Sequence, residues 1–267
     1  MNPEASYRFS HAVARKPGKS VTQGIRDGAG PDPSPDAFLR EHQAYVEALR
    51  ATGAEVTVLD ALEDFPDSVF VEDPALCVAG AAIILRPGAA TRFGERDPMR
   101  EALATIFDQV IDLPEGGYVD GGDILVTGRE ILIGLSARTD EAGVAQLEKI
   151  TAGLGVPLRI VQTPPEILHF KTGCGLLDAE TIFATAPLVR SGCFDGYRVI
   201  ECPAGEEPAA NLIRVNDQVF LAKGFPRTAE LLRSQGYTVT ELSVAEAAKL
   251  DGGLSCMSLR FTPGASS

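Results

Sequence analysis

Residues 124–162, ILVTGREILIGLSARTDEAGVAQLEKITAGLGVPLRIVQ, hold one complete supersecondary unit. Two apolar runs, 124–126 and 131–133, are split by a short turn and read as a hairpin. A helical stretch over 140–151 follows, then Gly153 and Gly155, then the β-rich run 158–162. Thr139, Asp140 and Glu141 place a capping residue and acids where a helix N-terminus favours them. The order is therefore strand, strand, helix, strand.

Outward from this stretch the same order recurs, which is how a repeat architecture shows itself in sequence. Upstream, a hairpin of 75–78 with 82–85 precedes a helix over 98–107 and a strand over 109–113. Downstream, 175–177 with 181–184 leads to a shorter helix near 188–192 and a strand over 197–201. A further hairpin, 212–215 with 219–221, leads to a helix over 228–234 and a strand over 238–242. The first helix, 38–50, and its strand, 55–59, lack a hairpin before them, while the last apolar piece, 256–261, lacks a partner. The free apolar segment 7–14 can supply it. Closure removes exposed strand edges, so the economical reading is an α/β ring of about five such units sealed by pairing the chain ends. An ordinary α/β sandwich with accidental periodicity is the alternative.

Helix boundaries carry their own chemistry. Ser34-Pro35 and Asp97-Pro98 read as N-caps followed by first-turn prolines, and Gly53 and Gly236 sit where C-cap glycines belong. Residues 15–35 stand outside the repeat. They hold Gly18, Gly24, Gly28 and Gly30 with Pro17, Pro31, Pro33 and Pro35, a long flexible connection of the kind that serves as a lid or is merely mobile.

Bulk properties narrow the function classes. The chain has 267 residues, 45% of them hydrophobic, enough for a sizeable core in one large domain or two small ones. No apolar run reaches the ~18 residues of a membrane span, and Met1-Asn2-Pro3-Glu4 does not begin a secretory signal. A net charge of −13 makes nucleic acid an unfavourable partner and welcomes a cationic substrate. The cysteines at 77, 174, 193, 202 and 256 are odd in number and scattered, which points to reduced thiols in a cytoplasmic protein. Histidines at 11, 42 and 169 lie too far apart for a dense metal motif.

Several short stretches can carry chemistry. Asp251-Gly252-Gly253-Leu254-Ser255-Cys256 is a glycine-broken turn that brings a thiol to the start of the last apolar run, where it can be a nucleophile or a structural cysteine. Asp67, Glu72 and Asp73 cluster before a hairpin. In an extended backbone Asp67 and Asp73 share a side while Glu72 points elsewhere, and paired carboxylates suit a guanidinium or ammonium. A solvated turn is the plainer explanation. Asp120-Gly121-Gly122-Asp123 is a second acidic turn, readable as a cation site or an ordinary turn, and His169 stands between apolar residues as a satisfied core histidine would. Arg92 and Arg138 each end a hairpin ahead of a helix, as carboxylate-binding or surface arginines. What joins them is position. Asp67, Asp120, His169 and Cys256 all fall at hairpin entrances, and in a closed ring those entrances converge on one mouth.

Phe70-Val-Glu-Asp73, Arg86-Pro-Gly88, Asp120-Gly-Gly-Asp123, Gly134-Leu-Ser-Ala-Arg-Thr139, Leu168-His-Phe-Lys171, Ala210-Asn-Leu-Ile213 and Asp251-Gly-Gly-Leu-Ser-Cys-Met-Ser258 together resemble the motifs of the dimethylarginine dimethylaminohydrolases, in that family's order. The likeness runs from about Tyr7 to Phe261. It implies a five-bladed β/α-propeller, the pentein fold of repeated ββαβ units. The whole of 1–267 is then one catalytic domain, with 15–35 as lid and 262–267 as a flexible tail. It further implies Cys256 as nucleophile, His169 as general acid/base and Asp120 as the carboxylate that positions imidazole and guanidine. Asp73 becomes the main guanidinium partner, with Glu72 shaping the site beside it. Asp67 and the Leu250 carbonyl would hold an α-amino group, Arg92 and Arg138 an α-carboxylate, and Val21 would supply an apolar lid contact. The expected substrate is a small Nω-methylated arginine, hydrolysed to citrulline and a methylamine without metal or organic cofactor. A homodimer is left open.

Other penteins share this core. An arginine deiminase usually carries a helical insertion for which this chain has no room. A hydrolase of another guanidino or ureido amino acid, an amidinotransferase, or a non-catalytic binding propeller would differ in pocket size, in the acceptor of the intermediate, or in turnover.

Overall fold

The structure is a computed structural model, and it describes every residue except Met1, Ala29, Glu166 and 265–267. The three last positions of the expected tail therefore lie outside the described residues.

In chain order the regular elements are β1 (His11–Arg15), α1 (Pro35–Ala51), β2 (Glu55–Leu59), β3 (Ala75–Val78), β4 (Ala81–Ile84), α2 (Arg96–Ala104) and β5 (Val110–Asp112). There follow β6 (Ile124–Val126), β7 (Ile131–Leu135), α3 (Glu141–Gly153), β8 (Leu158–Gln162), β9 (Cys174–Leu176), β10 (Thr181–Ala184), α4 (Ala186–Arg190) and β11 (Arg198–Glu201). The chain closes with β12 (Ile213–Val215), β13 (Gln218–Ala222), α5 (Pro226–Ser234), β14 (Thr238–Leu242) and β15 (Leu259–Phe261).

The strands form five three-stranded sheets among the described residues. In β6-β7-β8 the first pair is an antiparallel hairpin and the second is parallel, Ile133 standing opposite Ile160. A parallel pair needs a long crossover, which α3 provides. Sheets β3-β4-β5, β9-β10-β11 and β12-β13-β14 repeat this arrangement. The remaining sheet is β15-β1-β2: β15 pairs antiparallel with β1, His11 opposite Phe261, so the C-terminal strand completes the N-terminal blade. The expected five-unit ring and its closure by the chain ends are both present.

Apolar side chains tie the blades together. Ile83 and Leu76 of one blade share a cluster with Ile124, Ile133 and Val144 of the next. Val13 and Phe261 pack with Ala75, Ile84 and Phe107. Each blade alone would leave such a face wet, at about 1.5–3 kcal/mol for every large aliphatic side chain.

Local signals hold with one exception. Ser34 accepts a hydrogen bond from the Ala37 amide, Asp140 from that of Gly143, and Gly53 and Gly236 adopt the left-handed φ of 89° that ends their helices. Asp97, however, is no N-cap. A 3-10 helix, Ala90–Glu95, runs directly into α2, so Glu95 takes the cap position and Pro98 falls within the first turn. The 15–35 segment holds the 3-10 helix Lys19–Gln23, and carboxylates accept hydrogen bonds from its amides at Lys19, Ile25, Asp27 and Ser34. No helix is long and apolar enough to cross a membrane among the described residues.

Candidate active site

The segments that carry the chemistry all precede the first strand of a blade. Residues 66–73 lead into β3, 120–123 into β6, 169–172 into β9 and 253–256 into β15. Blade symmetry brings these segments to one end of the ring, where they line a small cavity of about 50 Å³. Asp67, Asp73, Asp120, His169 and Cys256 all reach it, as do Arg92, Arg138 and Leu250. A larger cleft of about 880 Å³ adjoins it and shares the wall of Leu168, Asp251 and Gly252.

Asp120 and His169 form the best-defined pair. His169 Nε2 lies 3.0 Å from Asp120 Oδ2, while Asp120 Oδ1 accepts the Gly88 amide at 2.7 Å. The glycines after Asp120 are required by close approach. A Cβ on Gly121 would stand 2.0 Å from the Glu72 carbonyl, and one on Gly122 would stand 2.9 Å from both Asp73 Oδ1 and the His169 ring. The Gly122 amide instead donates to Asp73 Oδ1 at 3.0 Å.

Electrostatics set the protonation states. Burial by itself would lower the His169 pKa, but the hydrogen bond that the ring donates to Asp120 and the charges of Asp73 and Asp123 outweigh it and raise it to about 9. The ring is therefore an imidazolium at neutral pH. Burial pushes the Cys256 thiol up, and the charges of Glu72 and Asp73 push it further, to about 11. Without a ligand the nucleophile candidate is a neutral thiol, with Ser255 Oγ 3.8 Å from its sulfur. Asp73 is pushed up by burial, but Arg92 and His169 more than offset this and hold it below the usual carboxylate range.

Some expected residues have other immediate partners. The Arg92 guanidinium, expected to meet a carboxylate of substrate, is buried and already bonded to Asp73, to both oxygens of Glu95 and to the carbonyls of Asp67 and Phe70. The cause is local, since Glu95 lies three residues on in the same short helix. The Arg138 side chain, partly exposed at the rim, faces the cavity. Glu72 points away from the cavity and pairs with Lys171 Nζ at 2.6 Å and Arg260 at 3.1 Å. Asp67 and Asp73 do share a face, although residues 66–73 make turns rather than a strand. Asp67 accepts the Ile25 amide at 3.0 Å. Val21 is buried in the core with Phe70 and Leu250 and does not line the cavity; Ile25 and Asp27 of the same segment do.

Sequence reading did not single out Asp123. Fully buried, it accepts from Ser136 Oγ and Thr139 Oγ1 on either side of Arg138, and from the amide of Phe170, next to His169. Its place in Asp120-Gly-Gly-Asp123 was the one available signal. Asp73, Asp120 and His169 also bring ligand atoms within 4.8 Å of one another, a geometry open to a cation as well as to a guanidinium.

The family model for N,N dimethylarginine dimethylhydrolase, eukaryotic, matches residues 33–171. A dimethylarginine dimethylaminohydrolase of Pseudomonas aeruginosa is 39% identical over 95% of this chain and 100% of its own length. The chain belongs to the dimethylarginine dimethylaminohydrolase family. A second family member, from Streptomyces coelicolor, is 34% identical over 94% of this chain and 96% of its own. Among solved structures, a cysteine-to-serine mutant of the Pseudomonas aeruginosa enzyme complexed with citrulline superposes with a TM-score of 0.92, at 38% identity, covering 96% of this chain and 100% of that one. The family fold thus extends across all five blades.

Proposed function

We propose that the protein hydrolyses Nω,Nω-dimethyl-L-arginine and Nω-methyl-L-arginine to L-citrulline and dimethylamine or methylamine. The observation that carries this is the meeting of Cys256, His169, Asp120 and Asp73 around one cavity in a chain whose relatives bear that activity's name.

Asp73 and Asp120 hold the planar guanidinium cation through charge-assisted hydrogen bonds and fix its carbon beside the thiol. Arrival of that cation beside Cys256 offsets the carboxylates that raise its pKa, so the thiol releases its proton to solvent as substrate binds. The thiolate attacks the guanidinium carbon. His169, already an imidazolium, gives its proton to the departing amine as the C–N bond breaks, leaving an S-linked thiouronium. Neutral His169 then takes a proton from water as the oxygen adds to the same carbon; the C–S bond breaks with its electron pair returning to sulfur, the added hydroxyl gives up its proton to solvent, and citrulline leaves.

At the amino-acid end, Asp67 and the Leu250 carbonyl receive the α-amino group and Arg138 the α-carboxylate, with the charge of Arg92 behind it. The segment around Ile25 and Asp27 covers the substrate. Free, scattered thiols accord with a reducing cytoplasm.

The test is citrulline and amine release from arginine, monomethylarginine and asymmetric dimethylarginine, with Cys256→Ser and His169→Ala in parallel. Product from the methylated substrates, absent in both variants, is expected. Turnover of arginine alone would make the protein a deiminase, and full activity in either variant would remove that residue from its role.

A further inference from the structure

Asn211 lies between the loop that presents Cys256 and the loop that presents His169. Its Oδ1 accepts the Ser255 amide at 2.9 Å, next to the nucleophile. Its Nδ2 donates to Ser255 Oγ at 3.1 Å and to the Lys171 carbonyl at 3.3 Å, two residues past the imidazole. The blades that own these loops come from distant parts of the chain, 40 and 44 residues away from Asn211. The backbone makes room for the amide: a Cβ on Gly253 would stand 2.5 Å from Asn211 Oδ1. Ser255 Oγ in turn lies 3.8 Å from the Cys256 sulfur.

We propose that Asn211 is a positioning residue for the reaction, a two-sided clamp that sets the spacing between thiol and imidazole. The geometry requires a side chain with an acceptor on one atom and a donor on the other, on a short stem. Asparagine meets that need, while aspartate offers only acceptors. Cys256 and His169 must both address the same guanidinium carbon and its departing nitrogen, and displacement of one relative to the other by about 1 Å can lower a rate on the order of 100-fold. Substrate binding draws on Asp67, Asp73, Asp120, Arg138 and the Leu250 carbonyl, whereas the Asn211 side chain hydrogen-bonds Lys171 and Ser255. Loss of the clamp therefore falls on kcat rather than KM. The inference rests on the roles proposed above for Cys256 and His169.

The experiment compares Asn211→Ala and Asn211→Asp with the wild type, with Cys256→Ser alongside. The folded fraction of each variant is measured by near-UV circular dichroism and urea denaturation, and rates are taken per folded molecule, so that unfolded protein does not enter the rate. The expected result is a kcat per folded site about 10- to 100-fold lower in Asn211→Ala, with KM within about threefold. Asn211→Asp keeps the Ser255 amide contact but loses the donor to Lys171. It is expected to lose kcat as well, and to shift the alkaline side of its pH–rate profile upward because a new negative charge lies near the thiol. Wild-type kcat per site in either variant, beside an inactive Cys256→Ser, would overturn the clamp and leave the nucleophile standing. An active Cys256→Ser would overturn both.

Discussion

The backbone amide of Asp27 donates to Asp251 Oδ2 at 2.7 Å, joining the segment that lines the cavity through Ile25 and Asp27 to the turn that carries Cys256. Asp251 itself adopts a left-handed φ of 56°, a conformation that aspartate and asparagine tolerate better than other side-chain-bearing residues. One exposed residue thus shapes the turn that leads to Cys256 and ties it to the segment of Ile25 and Asp27.

Replacing Asp251 with Ala removes this tie and strains the turn. KM for methylated arginine is expected to rise about three- to tenfold, in keeping with the ~1 kcal/mol of one such hydrogen bond. Cleavage by protease within 24–31 will quicken. Asp251→Asn keeps the backbone conformation and an acceptor, so it will lie between. Unchanged KM and unchanged proteolysis in the alanine variant would show that the tie does not hold the segment.

The two arginines of the cavity are expected to differ in kind. Arg138 faces the cavity from the rim, so Arg138→Ala will fold normally and raise KM with little change in kcat. Arg92→Ala leaves Asp73 and Glu95 buried without their cation, a loss of about 3–5 kcal/mol. Urea denaturation of both variants beside steady-state kinetics distinguishes them. Equal stability of the two would contradict the assignment.

A thiol raised to about 11 reacts slowly at neutral pH in the free protein. Alkylation of Cys256 by iodoacetamide should climb steadily with pH up to that value. Burial is the largest cause of the shift and Glu72 the next, so Glu72→Gln will lower the thiol pKa. It also frees Lys171 and Arg260, which act in the same direction. A shift of one unit makes alkylation at pH 8 about tenfold faster. A substrate-free thiol pKa below 8 in the wild type would refute this account.

His42 gives the fold an acid-sensitive point. Its ring is buried in α1, its Nε2 has no hydrogen-bond partner among the described residues, and burial together with the charge of Lys16 lowers its pKa to about 4. The unfolded chain binds the proton from pH 6.5 downward while the folded chain refuses it until about 4. Stability is thus complete above 6.5 and is lost as pH falls through that window, on the order of 3 kcal/mol in all. His42→Leu should flatten this part of the stability–pH curve. An unchanged slope would assign the acid loss to other groups.

Much of the architecture was legible because its signals are local. The strands at 55–59, 158–162 and 238–242 were read with their observed bounds, and 75–78 likewise, from alternation and turn residues lying within a few positions of one another. The unpaired runs at the two ends foretold the seam between β1 and β15, since an open ring would leave edges bare. Where a neighbouring segment intruded, local reading failed. The 3-10 turn before α2 displaced the expected cap at Asp97. Val21, expected from family likeness alone, packs in the core, and Ile25 lines the cavity.

By itself, then, the sequence determined the repeating unit, its number, its closure and the family motifs at each blade entrance, because periodicity and turn chemistry act over short spans. Which of those motif residues face one cavity was decided by the tertiary structure. So were the pairing of Arg92 with Asp73, the turning of Glu72 toward Lys171 and Arg260, and the raised pKa values of His169 and Cys256. Those outcomes depend on charges brought within a few ångströms by burial from segments tens to hundreds of residues apart, a relation that linear spacing does not encode.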